Sequence, residues 1–531
     1  MTTNPDHWTH LGSRCFDADD QHDFAKLSGD VNPMHMDAVA ARRTQAGQPV
    51  VHGVHVVLMA LEQLAASGRH LAALHRLDVA FTRFVPVGET VAFHYLAKSP
   101  ERTVIEVRAG DLTLTTMKLR FGDAAVSSAK EVTRKVTREV TREVTREVTK
   151  EVVKEHRIGT VDFAHEPDER SLDEMPGCSG WLDAPPSEIQ AAALFPGLAG
   201  MLSPRMIESL ALMSTVVGMQ VPGLHSIFSS FSLKFDDQGI EKPGLGFEVD
   251  NVDERFRMVT LAIVSSGFRG KIEAFVRQAP TTLSSRSSGL TRIPETRYAS
   301  IDALVVGGSR GLGEATARAI VAGGGRVTVT WMTGSADAAR VACEINDVCG
   351  AERCQTLRYD AFQPPEEQLG HHARDFTHLF YFATTQIFRQ KSNAFDAALH
   401  SEFVDLYVTG FQQLCQSIFR QIPAERTLRV FYPSSIAVVD RPKGMTEYAM
   451  AKAAGEILCI DMNSLHDRLD VLFDRLPRVR TDQTATVSPV ESADPLELML
   501  PLIDRLLDDQ VDVEQADIEQ ADAVAPMLNT A

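Results

Sequence analysis

A chain of 531 residues with a formal net charge of −18, 44% apolar and 23% charged, is too long for one core and should hold roughly three domains. The acidic balance argues against a nucleic-acid partner, which needs clustered Lys and Arg, but allows an anionic cofactor held by a local basic patch. Seven scattered cysteines without a CxxC pair, an N-terminus MTTNPDHWTH with no basic-then-apolar leader, and no long apolar run predict a cytoplasmic protein with reduced thiols and no membrane span.

The first domain is expected over residues 1–125. Residues 28–37, SGDVNPMHMD, place Asp30 five positions before His35 with Asn32-Pro33 between them. Proline fixes its own φ and pushes the preceding residue out of the helical region, so the stretch must turn. Such a turn can bring a carboxylate and an imidazole to opposite sides of one small site, where they could share a water. Next, PVVHGVHVVLMALEQLAA is apolar almost all round and predicts a buried helix that stops at Gly68. LDVAFTRFV, ETVAFHYLA, TVIEVRAG and LTLTTMKLRFG read as strands separated by turn residues. One buried helix wrapped by an antiparallel sheet is an α+β hotdog.

Residues 126–157 form a linker dominated by EVTRKVTREVTREVTREVTKEVVKE (131–155), which repeats every four residues. Half of it is β-branched, which disfavours helix, so it reads as a charged spacer; a partner-binding helix is the other reading. Residues 158–280 repeat the plan of the first domain. Ser203-Pro204 looks like an N-cap and first-turn proline opening SPRMIESLALMSTVVGM, and LHSIFSSFSLKF, LGFEVDNV, RMVTLAIVSS and KIEAFVRQ read as strands. This predicts a second hotdog-like domain, non-catalytic because no DxNPxH precedes its helix. Glu208, Ser214 and His225 read there as hydrogen-bonded structural residues rather than catalysts. A polar linker is expected at 281–299.

From Ile301 strands alternate with helices, predicting an α/β doubly wound, Rossmann-like domain over 300–509, followed by an acidic tail at 510–531. The turn VVGGSRGLGE after its first strand spaces Gly307, Gly311 and Gly313 as GxxxGxG. Glycine there permits a tight turn and lets backbone approach a pyrophosphate at the next helix's N-terminus. Ser309, Arg310 and Leu312 lie in the same turn. Downstream, Tyr448 and Lys452 are four apart in a helical segment and share a face. An ammonium near the phenol is expected to lower the tyrosine pKa. Ser435, thirteen residues before Tyr448 at a strand end, could hydrogen-bond a reacting carbonyl.

These residues together resemble the short-chain dehydrogenase/reductase family over about residues 300–485. The resemblance implies Tyr448 as proton donor, Lys452 as its tuner and a ligand of the nicotinamide ribose, and Ser435 as the group orienting the carbonyl. Arg310 suits the 2′-phosphate of NADP, and no acid ends the second strand at TVTWMTGS, so NADP(H) is the expected cofactor. Asp360 fits the adenine-contacting acid. The chain departs from the family where NNAG is replaced by YFAT (381–384), where Tyr407 stands for the asparagine of the proton relay, and where Pro477-Arg478 replaces PG.

FAKLSGDVNPMHMDAVAA, with HGV at 52–54, resembles the MaoC-like, (R)-specific enoyl-thioester hydratases over about residues 15–120. The resemblance implies that Asp30 and His35 hold one water between them and that Asn32 supports them. The Gly53 N–H, at a helix start, would face the thioester oxygen. A bifunctional enzyme of acyl-CoA or acyl-carrier-protein thioesters follows, self-associated as a dimer or larger. The alternative keeps the hydratase and makes the C-terminal domain a non-catalytic nucleotide-binding module.

Overall fold

The computed structural model describes residues 7–69, 71, 73–122, 165–183, 188–236, 242–279, 289–388, 395–482, 484, 490 and 492–507. The repeat tract and the acidic tail lie outside the described residues. Two compact units make up the chain: Met1–Pro280, Lys391–Ala394 and Ala485–Val490 form one, and Thr281–Gln390, Phe395–Thr484 and Glu491–Ala531 the other.

The first unit is a ten-stranded sheet. Its strands are β1 (Thr9–Cys15), β2 (Leu74–Phe81), β3 (Thr90–Ser99), β4 (Arg102–Ala109), β5 (Leu112–Phe121), β6 (Ser179–Leu182), β7 (Ser226–Phe235), β8 (Leu245–Asp253), β9 (Met258–Val264) and β10 (Phe268–Val276). They run in the order β1-β3-β4-β5-β2-β7-β10-β9-β8-β6, every recorded pairing antiparallel. Read outward from the β2–β7 junction, the two halves have matching strand orders. At that junction Leu77 faces Leu233 and Val79 faces Phe231, and the Ser232 hydroxyl donates to Asp78 Oδ1 at 2.6 Å. β1 carries no sequence alternation; it is an exposed edge strand, irregular at Gly12, that pairs with β3 in the sheet.

Each half packs a central helix, Gly53–Ala66 in the first and Pro204–Thr215 in the second. The first is rich in valine, which favours strand, so packing rather than propensity holds it. Val54, Val56, Val57, Leu58, Leu61 and Leu64 are all buried. Burial of such side chains contributes about 1.5–3 kcal/mol each. The second opens as expected: the Ser203 hydroxyl accepts from the Met206 N–H at 3.3 Å and Pro204 occupies the first turn. Its end passes into a π-helical turn, Val216–Gln220.

The second unit is a parallel sheet in the order β13-β12-β11-β14-β15-β16. The strands are β11 (Asp302–Val306), β12 (Arg326–Trp331), β13 (Cys354–Arg358), β14 (His378–Tyr381), β15 (Leu428–Ser435) and β16 (Leu469–Leu476). β11 and β14 lie side by side at the centre, so the loops after them open where strand order reverses, the usual ligand position in such sheets. In the expected 281–299 linker, Leu290 and Tyr298 are buried in this unit's core, and the Tyr298 hydroxyl donates to Asp504 Oδ1 at 3.0 Å. No helix among the described residues is long and apolar enough to cross a membrane.

Candidate active sites

Asp17 caps the helix Ala18–Ser28, which Gly29 terminates in a left-handed conformation (φ 81°). Asn32, extended before Pro33 as the proline requires, caps a one-turn helix, Pro33–Met36, by accepting from the Met34 N–H at 3.0 Å. The break between these helices carries Asp30, and the second helix carries His35. An oxygen of Asp30 and ring nitrogens of His35 and His52 lie within 4.8 Å of one another. One water can bridge two groups at such a separation, each bond near 2.8 Å. The His35 Nδ1 lies 2.7 Å from the Val50 carbonyl, which only accepts, so Nδ1 carries a proton and Nε2 is left with the lone pair when the ring is neutral.

Asp30 is 1% exposed. Its carboxylate accepts from the Asn32 N–H at 3.1 Å and from the Ser214 hydroxyl at 2.6 Å. Burial pushes its pKa up, and the opposing pull of His35, the Ser214 hydroxyl and the Asn32 N–H does not cancel that. The Asn32 amide donates to the Gly218 carbonyl at 2.7 Å, tying the turn to the second half. A cavity of about 60 Å³ opens here, lined among others by Asp30, His35, Gly53, Phe81, Ser214 and Phe228. A water needs about 10–15 Å³ by the same measure, so the space accommodates water beside the acid and the imidazole. Gly53 is the first residue of its helix, where N–H groups have no intrahelical acceptor, and a side chain there would press on the Phe81 ring at 3.1 Å.

Three contributors were not foreseen in these roles. Ser214, read from sequence as structural, holds Asp30. A Cβ at Gly218 would stand 2.6 Å from both Asp30 oxygens, so the carboxylate fits only against glycine. His52 stacks on His35 with ring centroids 3.9 Å apart, and its Nε2 lies 3.1 Å from the Asp30 carbonyl. Burial first, then His35 and His55, hold His52 well below the usual histidine range, so it is neutral and props the turn. The available signals were a serine in an apolar helix, a glycine in the turn that follows it and the histidine of HGV. Glu208 and His225 are both buried, and His225 Nε2 meets Glu169 Oε1 at 2.9 Å.

In the second unit Gly307 (φ 77°) and Gly311 (φ 58°) take left-handed backbone. A Cβ at Gly313 would stand 2.3 Å from the Gly307 carbonyl, so the turn and the helix Gly311–Ala322 meet at a contact only glycine allows. Ser309 is buried and Leu312 half-buried in the turn. Arg310 Nη1 lies 3.5 Å from Asp482 Oδ2. Asp360, just beyond β13, accepts from the Phe362 N–H at 3.0 Å. The glycine cradle and the open first turn of its helix fit a dinucleotide pyrophosphate.

Ser435 ends β15 near Tyr448, which lies with Lys452 on the helix Thr446–Leu465. The expected electrostatics is corrected. Burial pushes the Tyr448 phenol up to about 12, the Ser435 hydroxyl only moderating it, while burial brings Lys452 down to about 7. The reason is geometric: Lys452 Nζ donates to the Pro433 carbonyl at 2.7 Å and lies 3.9 Å from the Tyr407 ring centroid but 5.9 Å from that of Tyr448. Tyr407 is fully buried, its hydroxyl 2.7 Å from Thr384 Oγ1 in the YFAT segment.

Comparison with known families finds a match to the MaoC like domain over residues 3–117 and to the short chain dehydrogenase family over residues 302–471. No curated protein matches. Among solved structures, the chain is similar to FolM alternative dihydrofolate reductase 1 from Brucella suis in complex with NADP (18% identity, 35% of this chain and 76% of that one, TM-score 0.31). It is similar to a dehydrogenase/reductase from Sinorhizobium meliloti 1021 (20% identity, 40% and 90%, TM-score 0.34). A third likeness is to the angucycline C-6 ketoreductase LanV with bound NADP (19% identity, 41% and 93%, TM-score 0.35). The chain is a fusion that carries a MaoC-like domain at its N-terminal end and a short-chain dehydrogenase domain at its C-terminal end.

Proposed function

We propose that the chain is a bifunctional acyl-thioester enzyme. Its first unit would interconvert trans-2-enoyl and (R)-3-hydroxyacyl thioesters, and its second 3-oxoacyl and 3-hydroxyacyl thioesters with NADP(H). The observation that carries the first activity is the Asp30 oxygen and His35 nitrogen within 4.8 Å on one cavity. One of the pair takes a proton from water as its oxygen bonds to the β-carbon, and the other delivers a proton to the α-carbon. The Gly53 N–H would receive the charge that develops on the thioester oxygen. The halves around the two central helices are read as two hotdogs, the second completing the first one's site through Ser214 and Gly218 rather than carrying an acid and base of its own. This reading divides the chain at 1–125, 158–280 and 300–509.

The placing of Ser435 and Lys452 around Tyr448 supports the second activity. A phenol held protonated suits proton delivery to the alkoxide formed on reduction, with Ser435 positioning the carbonyl. Gly307, Ser309, Gly311, Leu312 and Gly313 would cradle the dinucleotide, Arg310 its 2′-phosphate and Asp360 its adenine. When bound, that cofactor supplies or accepts the hydride. The acyl group arrives on coenzyme A or on a carrier protein, and the chain self-associates in the cytoplasm.

The test is an assay of the purified chain against a panel of enoyl and 3-oxoacyl thioesters, following enone absorbance and NADPH. Both signals are expected. Hydration without NADPH oxidation on any 3-oxoacyl substrate would leave the second domain a nucleotide-binding module. Absence of both would point to an assembly role.

A further inference from the structure

Lys452 sits in a box of tyrosines. Its Nζ lies 3.9 Å from the ring centroid of Tyr407, 4.8 Å from Tyr432 and 5.9 Å from Tyr448. Beyond these faces, the hydrogen bond recorded for Nζ goes to the Pro433 carbonyl at 2.7 Å. Glu456, one turn along the same helix, is engaged elsewhere: the Ser434 hydroxyl donates to it, and Arg475 of β16 holds it through both oxygens at 2.8 and 2.7 Å. Cys459, also on this helix, is buried with its thiol pushed up to about 12, hence neutral. The groups facing the ammonium are therefore three phenols, a neutral thiol, a carbonyl and a carboxylate already paired with arginine.

Tyr407 is the ring nearest the charge and is fixed at every side. It sits in a π-helical turn, Asp405–Gly410, a feature frequent at functional positions. Its ring stacks on Phe403 (5.7 Å, 20°) and meets Tyr448 edge-on (5.6 Å, 83°), and its hydroxyl bonds Thr384 at 2.7 Å. A desolvated ammonium over an aromatic face is attracted by the ring quadrupole, an effect that grows as water is excluded. An amide at position 407 would instead offer a polar group able to pass protons through water.

We infer that Tyr407 is a positioning residue of the reductase site, whose ring face holds the Lys452 amine beside Tyr448 in place of a hydrogen-bonded relay. The inference deepens the reductase reading and rests on it. The experiment replaces Tyr407 with phenylalanine and with phenylalanines carrying increasing numbers of ring fluorines, which keep the shape while draining the face of negative charge. The titration of Lys452 is followed in the full chain by competitive acetylation and mass spectrometry, which needs no turnover. The Lys452 midpoint should stay put in Tyr407→Phe and fall stepwise with fluorination, by about one pH unit at full substitution. The pH profile of 3-oxoacyl reduction should move in the same direction. A midpoint indifferent to fluorination would overturn the inference, as would a shift in Tyr407→Phe equal to that of the fully fluorinated ring, which would assign the effect to the hydroxyl. Failure of the reductase reading is read separately, as absence of NADPH oxidation in the unsubstituted chain.

Discussion

The Asp30–His35 site and the Tyr448–Lys452 site handle buried charge in opposite ways. Asp30 is surrounded by hydrogen-bond donors: the Ser214 hydroxyl, the Asn32 N–H and, within Coulomb range, His35. Lys452 has one carbonyl and the faces of aromatic rings. In both, burial wins over the compensating groups, moving the acid up and the lysine down. The lesson is that each site shifts a titratable group by withholding water from it, while its contacts set the group's geometry.

The strongest break between the two sites is by substitution at their reacting groups. Asp30→Asn or His35→Ala should lower hydration of a short enoyl thioester roughly 10²–10⁴-fold while leaving NADPH-dependent reduction intact. Tyr448→Phe should do the reverse, by a similar factor. Equal loss of both activities in either experiment would end the claim of independent sites.

Asp30→Asn carries a second expectation, with opposite sign. A carboxyl whose folded pKa is raised contributes stability below its unfolded pKa and loses it as pH rises through the folded value. Asp30 is such a group, so at pH 7 its ionised form is a burden on the fold. The asparagine variant should unfold at a higher temperature than the parent at pH 7, with the gap closing as pH falls toward 4; calorimetry across pH checks it.

Smaller effects sharpen the view that the second half of the first unit serves the Asp30 site. Ser214→Ala removes a hydrogen bond to a buried carboxyl and should slow hydration roughly 10- to 100-fold. It should also move the Asp30-dependent limb of the pH–rate profile upward, because that bond favours the ionised form. Gly218→Ala should act in the same range by displacing the carboxylate. The smallest effect is expected from deleting residues 131–150, which should leave each activity nearly unchanged; a large loss would make the spacer part of a site.

Much of this architecture was legible in the residues. The break before Pro33, the helix starting at Gly53, the Ser203 cap and the glycine turn at 307–313 follow from local rules that leave little freedom, and each appears where expected. What escaped was set by distant chain. Ser214 and Gly218 reach Asp30 from more than 180 positions away, and no local pattern marks a serine as facing a carboxylate rather than a backbone carbonyl. The YxxxK spacing placed Tyr448 and Lys452 on one helix but said nothing of solvent. The depth of the site decides the direction of both pKa values.

On the proposed mechanism, Asp30 and His35 act as one unit on one water. A double-mutant cycle on hydration, comparing Asp30→Asn, His35→Ala and the pair together, tests it most directly. Groups that share a step are strongly non-additive, so the double variant should be no slower than the worse single variant by more than a few-fold. Losses that multiply across the cycle would contradict it.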